Sequence, residues 1–236
     1  LYLLASAVSI ALIKRDKVCN IVSNILCIAA AGCGVAVSII KMLFVGGSIN
    51  IAVFKSIIPF ITIEMKIDNL SAFFLLSLSI LVVCVSIYSI GYISHYIGKR
   101  NVGLFYFLYS LFIASMIFVF TSANAVFFFI SWETMSLLSY FLVIFESEQE
   151  ENKKAGVLYI VMTHIATAFL LAGFMINYHY TQSFDIFGSS SAIPDFAKNI
   201  VFLLFLIGFG TKAGIIPLHI WLPRAHPAAP SNVSAL

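Results

Sequence analysis

Six apolar stretches of 19–27 residues, each closed off by a short polar or charged cluster, constrain this chain more than any motif does. They are Val18–Ile40, Leu70–Ile93, Val102–Phe120, Asn124–Phe145, Ala155–Tyr178 and Phe196–Leu222, preceded by a shorter run, Leu1–Ile13. At about 1.5 Å of rise per helical residue, stretches of this length extend roughly 28–40 Å, enough to cross a hydrocarbon core. Backbone groups in lipid must find partners within their own segment, so each stretch is read as a transmembrane helix. The composition agrees: 61% of residues are hydrophobic and only 10% charged, against about 25% charged in a soluble domain. Too few polar side chains remain to cover a water-soluble fold. A secreted disulfide scaffold, a nucleic-acid binder and a disordered chain are excluded on the same ground. The expected fold is an all-α transmembrane bundle of six or seven helices in a single domain over residues 1–236, with the start of another helix after Pro230. Leu1–Ile13 is too short to span and lacks the basic flank and A-x-A-like site of a signal peptide, so it is read as a truncated span in a fragment.

Orientation is read from lysine and arginine in the short loops. Counted from the N-terminus, the odd loops hold Lys14, Arg15, Lys17, Lys99, Arg100, Lys153 and Lys154; the even loops hold Lys41, Lys55, Lys66 and Lys198. The bias places the odd loops in the cytoplasm of a bacterium or archaeon and the N-terminus outside. In the long second loop, Ile61, Ile63, Met65 and Ile67 alternate with Thr62, Glu64, Lys66 and Asp68 after Pro59. Period two predicts a half-buried strand, hence a small external β-structure within residues 53–68. The sixth loop, with Gly188, Ser189, Ser190, Ser191 and Pro194, reads as a turn-rich connection. The four cysteines, Cys19, Cys27, Cys33 and Cys84, form no C-x-x-C and lie in apolar runs. They are read as small hydrophobes, with no metal or cofactor expected in this chain.

Two charges stand where charges are expensive. Glu133 lies nine residues past Asn124 and Lys212 eleven residues before Pro223, roughly 14 Å and 16 Å along a helix and so near mid-depth. A charge there costs about 2.5–3.5 kcal/mol on insertion scales. Opposite signs at similar depth predict a pair inside the bundle, although a protonated, hydrogen-bonded Glu133 would also meet the cost. Around Lys212, Gly208, Gly210, Gly214 and Pro217 predict a broken helix, since Pro217 deprives the Ala213 carbonyl of its donor. Broken helices at membrane depth are tolerated where protein or water surrounds them, and they mark ion sites in transporters. His164, beside Thr163 and Thr167, is a candidate proton carrier or a neutral residue hydrogen-bonded across helices. His219 is a weaker case of the same kind. His226 and Arg224, in "LPRAHPAAP", read as interfacial anchors; His95 and His179 carry no assignment. No Gly-rich phosphate loop, H-E-x-x-H or haem pattern occurs, which leaves no redox chemistry for this chain.

Three passages, "FFFISWETMSLLSYFLVIFE" (Phe127–Glu146), "NKKAGVLYIVMTHIATAFLLAGF" (Asn152–Phe174) and "GFGTKAGIIPLHIWLPRAHPAAPSNVSAL" (Gly208–Leu236), resemble the antiporter-like membrane subunits shared by respiratory complex I, Mrp-type sodium/proton antiporters and membrane-bound hydrogenases. The wording of the last passage is most similar to the hydrogenase-4 component B and formate hydrogenlyase subunit 3 branch. The resemblance implies a 14-helix subunit with two inverted five-helix repeats, of which this chain supplies the N-terminal helices (1–93) and most of the first repeat (102–236). It matches Glu133 and Lys212 to the family's glutamate on helix 5 and lysine on broken helix 7, and the second loop to its external β-hairpin. Where many relatives carry a lysine on helix 6, this chain has His164; the helix 8 relay residue would follow Leu236. The implied function is proton translocation within an energy-converting hydrogenase or NADH dehydrogenase-like complex, through Glu133, Lys212, His164 and His219, with other membrane subunits as partners and electron transfer elsewhere. The alternatives are a subunit of a sodium/proton antiporter and a non-translocating scaffold.

Overall fold

The computed structural model describes residues 1–51, 63–146, 150–188 and 192–236. Among them the apolar stretches become helices α1 (Tyr2–Ala11), α2 (Asp16–Phe44), α3 (Asn69–Tyr92), α4 (Val102–Thr121), α5 (Ala125–Val143), α6 (Glu150–Thr181) and α7 (Asp195–Ala213), followed by short α8 (Leu222–Ala228) and α9 (Ser231–Ser234). The six from α2 to α7 are long and apolar enough to cross a membrane. Helices outrun the apolar runs where charged residues fit a terminal turn. In α6, Glu150 and Glu151 sit at the positive end of the helix dipole and Lys153 bonds Glu150 at 2.7 Å. In α2, Lys41 belongs to the helix and not to the loop. It is fully buried and donates to Asn69 Oδ1 at 2.8 Å and the Val45 carbonyl at 3.1 Å.

The strand expected from the second loop forms as β2 (Met65–Ile67). Its antiparallel partner β1 (Ile49–Ile51) pairs Ile49 with Ile67 and Ile51 with Met65. Pro59, Ile61 and Thr62 lie outside the described residues, as do Lys55, Glu148 and Ser189–Ser191. The sheet is tied to the fourth and sixth loops: Ala123 N–H donates to the Glu64 carbonyl, Ile186 N–H to the Ala123 carbonyl, and Ala125 N–H to the Phe184 carbonyl. At the opposite end, Tyr96 donates to Glu146, Arg100 to the Phe145 carbonyl, and Gly98 N–H to Asp16 Oδ2. Odd and even loops therefore gather at opposite ends, as six full spans require.

Packing is sequential. α2 lies along α3, α1 fills the angle between α2 and α4, and α4, α5, α6 and α7 follow side by side, with α8 folded back on α6. Aromatic rings fill the core. Phe105 meets Tyr106, Tyr109 and Phe145, and Phe128 meets Trp132, Phe174 and Phe209. Glycines set the closest approaches. A Cβ on Gly208 would lie 2.6 Å from Leu170 Cδ2, and one on Gly173 would lie 2.6 Å from Phe205. Without a hydrophobic force between helices in lipid, such small residues let α6 and α7 pack by direct contact.

Asparagine and aspartate start three of the spans. Asp68 accepts from Ser71 N–H at 2.7 Å, Asn101 from Leu104 N–H at 2.9 Å, and Asn124 from Val126 N–H at 2.9 Å. Burial pushes the Asp68 carboxyl up, but its hydrogen bonds from Ser71 and the backbone prevail and hold it below the ordinary aspartate value. A depressed folded-state value means that the cap's ionic contribution is present above the unfolded pKa and lost as pH falls through the folded one. Asp68→Ala is expected to cost about 1 kcal/mol at neutral pH. The check is faster hydrogen exchange at the Ser71 amide, a difference that shrinks on acidification below the folded value.

Candidate functional site

The site is built where α5, α6 and the end of α7 meet. α7 runs unbroken through Gly208 and Gly210 and ends at Ala213, with Lys212 in its last turn, where a positive charge suits the dipole. Gly214 takes the left-handed conformation (φ +75°), its N–H bonding the Thr211 carbonyl at 3.3 Å and that of Ile215 bonding the Gly210 carbonyl at 2.9 Å. The Trp221 indole N–H returns from beyond the break to the Thr211 carbonyl at 2.8 Å. The break therefore occupies residues 214–221, including Pro217. Gly208 has a different part from the one read in sequence: lacking a Cβ, it lets α7 press on Leu170 and Ala166. At Gly210 a Cβ would meet Ile215 Cδ1 at 3.3 Å, so its smallness admits the chain folded back after the break.

The Lys212 ammonium donates to Tyr159 OH of α6 at 2.8 Å and to Ser136 Oγ of α5 at 3.0 Å. It also lies 5.0 Å from the Tyr159 ring centroid and 5.7 Å from that of Trp132, within cation–π range. Tyr159 OH continues to Ser139 Oγ at 2.6 Å. Ser136 is the twelfth residue of α5, about 16 Å from its start, so the ammonium sits at mid-depth. A cavity of about 250 Å³ borders Tyr159, Ser139 and Trp221 and reaches His226, whose Nδ1 is 2.9 Å from Ser234 Oγ.

Glu133 lies one turn from Ser136 on the same helix. Its Oε1 accepts from Thr167 Oγ1 at 2.5 Å, and Thr167 in turn accepts from the Trp132 indole N–H at 3.1 Å. Its Oε2 is 3.5 Å from His164 Nε2. The other ring nitrogen of His164 is 2.8 Å from the Ile160 carbonyl. A carbonyl only accepts, so Nδ1 carries hydrogen. Glu133 Oε2 and His164 Nε2 thus face one another across α5 and α6.

The direct ion pair expected between Glu133 and Lys212 is not made among the described residues. Hydroxyls of Ser136 and Tyr159 satisfy the ammonium, while Thr167 and His164 take the carboxylate. Trp132 stands between the two groups, its ring toward Lys212 and its N–H toward Thr167. His219 lies beyond the break, its Nδ1 buried without a hydrogen-bond partner among the described residues. Among the described residues it makes no hydrogen bond or ion pair with Glu133 or Lys212. Arg224 and His226 are exposed on α8. Ser136, Tyr159, Trp132 and Trp221 are the residues that sequence reasoning missed. A tyrosine and two serines (Ser136, Ser139) amid apolar spans were the available signal.

Residues 122–236 match the family described as NADH:quinone oxidoreductase/Mrp antiporter, TM. Over its whole length the chain is 39% identical to hydrogenase-4 component B of Escherichia coli (strain K12). Residues 122–236 are thus similar to the antiporter-like membrane subunits of this family, and the whole chain to hydrogenase-4 component B. The chain spans about a third of that relative's length (35%). The fold of this chain recurs in the membrane-bound sulfane sulfur reductase, an archaeal respiratory membrane complex. There the TM-score is 0.77 at 18% identity, over 99% of this chain and 48% of that one. It recurs also in the Mrp complex from Dietzia sp. DQ12-45-1b, with a TM-score of 0.76 at 22% identity over 98% and 43% of the two chains. The matched segment contains Glu133, His164, Lys212 and His219.

Proposed function

We propose that the chain forms part of a proton-translocating membrane subunit of an energy-converting hydrogenase or NADH dehydrogenase-like complex. The arrangement at Lys212 carries the reading. A lysine at mid-depth, at the end of a broken helix, is held by two neutral hydroxyls and has no carboxylate partner among the described residues. Such a group can give up its proton with no buried carboxylate left unpaired. One turn away Glu133 faces His164 at 3.5 Å, and Trp132 and Thr167 connect this pair with Lys212. Electron transfer in partner subunits would shift charge along the membrane arm. Lys212 would respond by exchanging its proton with the Glu133 side or with the cavity below Tyr159. The partners are other membrane subunits, and the setting is the cytoplasmic membrane of a bacterium or archaeon, with the loops that carry Lys14, Lys99 and Lys154 inside.

The test is proton uptake driven by electron transfer in vesicles bearing the complete complex, normalised to assembled enzyme. Glu133→Gln, which keeps the hydrogen bond from Thr167 but cannot take up the proton, is expected to lower normalised uptake at least tenfold with assembly intact. Unchanged normalised uptake would point to a scaffold. Uptake of sodium in place of protons would favour the antiporter reading, which the likeness to the Mrp complex keeps in view.

A further inference from the structure

The start of α6 and the short α8 meet through small residues: Ala155 and Ala228 are both buried where the two helices pack. Beside this contact opens a cavity of about 570 Å³, lined by Glu151, Asn152 and Lys154 of α6 and by Pro223, Arg224 and Pro227 of α8. Lys154 and Arg224 are exposed, and neither has a carboxylate partner among the described residues. Lys153, by contrast, is taken by Glu150 at 2.7 Å. Asn152 Nδ2 donates to the Glu146 carbonyl at 2.9 Å, while its Oδ1 and the Glu151 carboxylate offer acceptors only. A second cavity, of about 390 Å³, borders Lys154 on α6 and is otherwise lined by Lys153, Val157, Leu158 and Val161. Val157 and Val161 are 53% and 49% exposed. From Lys154 to Val161 the helix rises about 10 Å, from the membrane surface toward mid-depth. We infer that these two joined cavities hold one anionic phospholipid with a hydroxylated headgroup, of the phosphatidylglycerol kind.

The assignment follows the chemistry of each part. Phosphodiester oxygens accept charge-assisted hydrogen bonds from Lys154 and Arg224. Headgroup hydroxyls donate to Glu151 and Asn152 Oδ1, the two acceptors on the same lining. An acyl chain lies along Val157 and Val161, which face lipid depth. A soluble phosphate would use the first cavity and leave the apolar groove without purpose. The carboxylates of an acidic protein segment would meet Glu151 as a like charge. Basic pockets between membrane helices at the cytoplasmic side suit anionic headgroups, and this is the end that the lysine and arginine count assigns to the cytoplasm. Bridged by the phosphate, Arg224 ties the segment beyond the helix break to α6. The lipid site stands apart from Glu133 and Lys212 and does not depend on the proposed proton transfer.

The experiment titrates the full-length subunit, purified in a neutral detergent and stripped of lipid, with phosphatidylglycerol, and counts bound lipid by native mass spectrometry. Lys154→Gln combined with Arg224→Gln is expected to weaken binding of one equivalent about thirtyfold. The control pair Lys14→Gln with Arg15→Gln, basic residues at the same end, is expected to leave that equivalent unchanged. Val161→Trp, which fills the groove and keeps both cations, is expected to weaken it at least tenfold. Excess glycerol 3-phosphate is expected not to displace the lipid. All the substituted side chains are exposed or partly exposed, so the fold tolerates the changes. Native binding in the Lys154 and Arg224 double variant overturns the inference, as it would if an acidic protein segment held these cations. Displacement by glycerol 3-phosphate, or indifference to Val161→Trp, overturns it too, since either would make the pocket a site for soluble phosphate.

Discussion

Lys212→Ala is expected to abolish proton translocation, with at least a hundredfold loss of normalised uptake, while the subunit still folds and assembles. Tolerance of the fold follows from the partners. With the ammonium gone, Tyr159 OH keeps its 2.6 Å bond to Ser139, and Ser136 is a hydroxyl free to turn to a helical carbonyl. No buried charge is orphaned, because no carboxylate is paired to Lys212 directly. Removing a mid-depth charge even relieves an insertion cost of about 2.5–3.5 kcal/mol. Lys212→Arg sharpens the test. Arginine retains the charge at the end of α7, so a lysine that only locks helices together would be replaced with little loss. A guanidinium does not release its proton in a protein, so a proton carrier is silenced. Uptake near the native level in the arginine variant, with normal assembly, would defeat the role assigned to Lys212.

Gly208→Leu is expected to prevent α6 and α7 from docking and so to remove folded subunit from the membrane. A Cβ at this position would lie 2.6 and 2.7 Å from Leu170 Cδ2 and Cγ, and 3.0 Å from the Ala166 carbonyl oxygen. The leucine is fully buried and the carbonyl is helix backbone, so neither neighbour has room to retreat. Overpacking of this kind costs about 1–3 kcal/mol for added methylenes, and more where backbone must shift. Better helix propensity returns only about 1 kcal/mol. The matched control is Gly32→Ala in α2, where a Cβ meets nothing within 4 Å and stability is expected to hold or rise slightly. Yield and thermal midpoint in detergent distinguish the pair; equal behaviour would show that the α6–α7 approach is softer than its geometry implies.

These two positions mark the limit of what a linear reading reaches. The depth of Lys212 follows from counting residues along an apolar run, because hydrocarbon thickness and the cost of charge act along one axis. The break follows from Pro217 and Gly214, whose backbone limits are local. The two glycines one and two turns earlier look the same in sequence, yet Gly208 serves a neighbouring helix and Gly214 ends its own. Similarly, the period-two pattern around Met65 predicts a strand, whereas its partner Ile49–Ile51 is three residues with no pattern of its own.

Sequence by itself determined which stretches are long and apolar enough to cross a bilayer, where Pro217 and Gly214 interrupt the last of them, and which charges lie deep, since hydropathy and proline geometry belong to single segments. Tertiary structure decided the partnerships. It gave Lys212 to Ser136 and Tyr159, and gave Glu133 to Thr167 and His164. Apolar spans carry almost no periodic signal of which face turns inward, so rotation about each helix axis is fixed only when glycine contacts and aromatic packing lock the bundle.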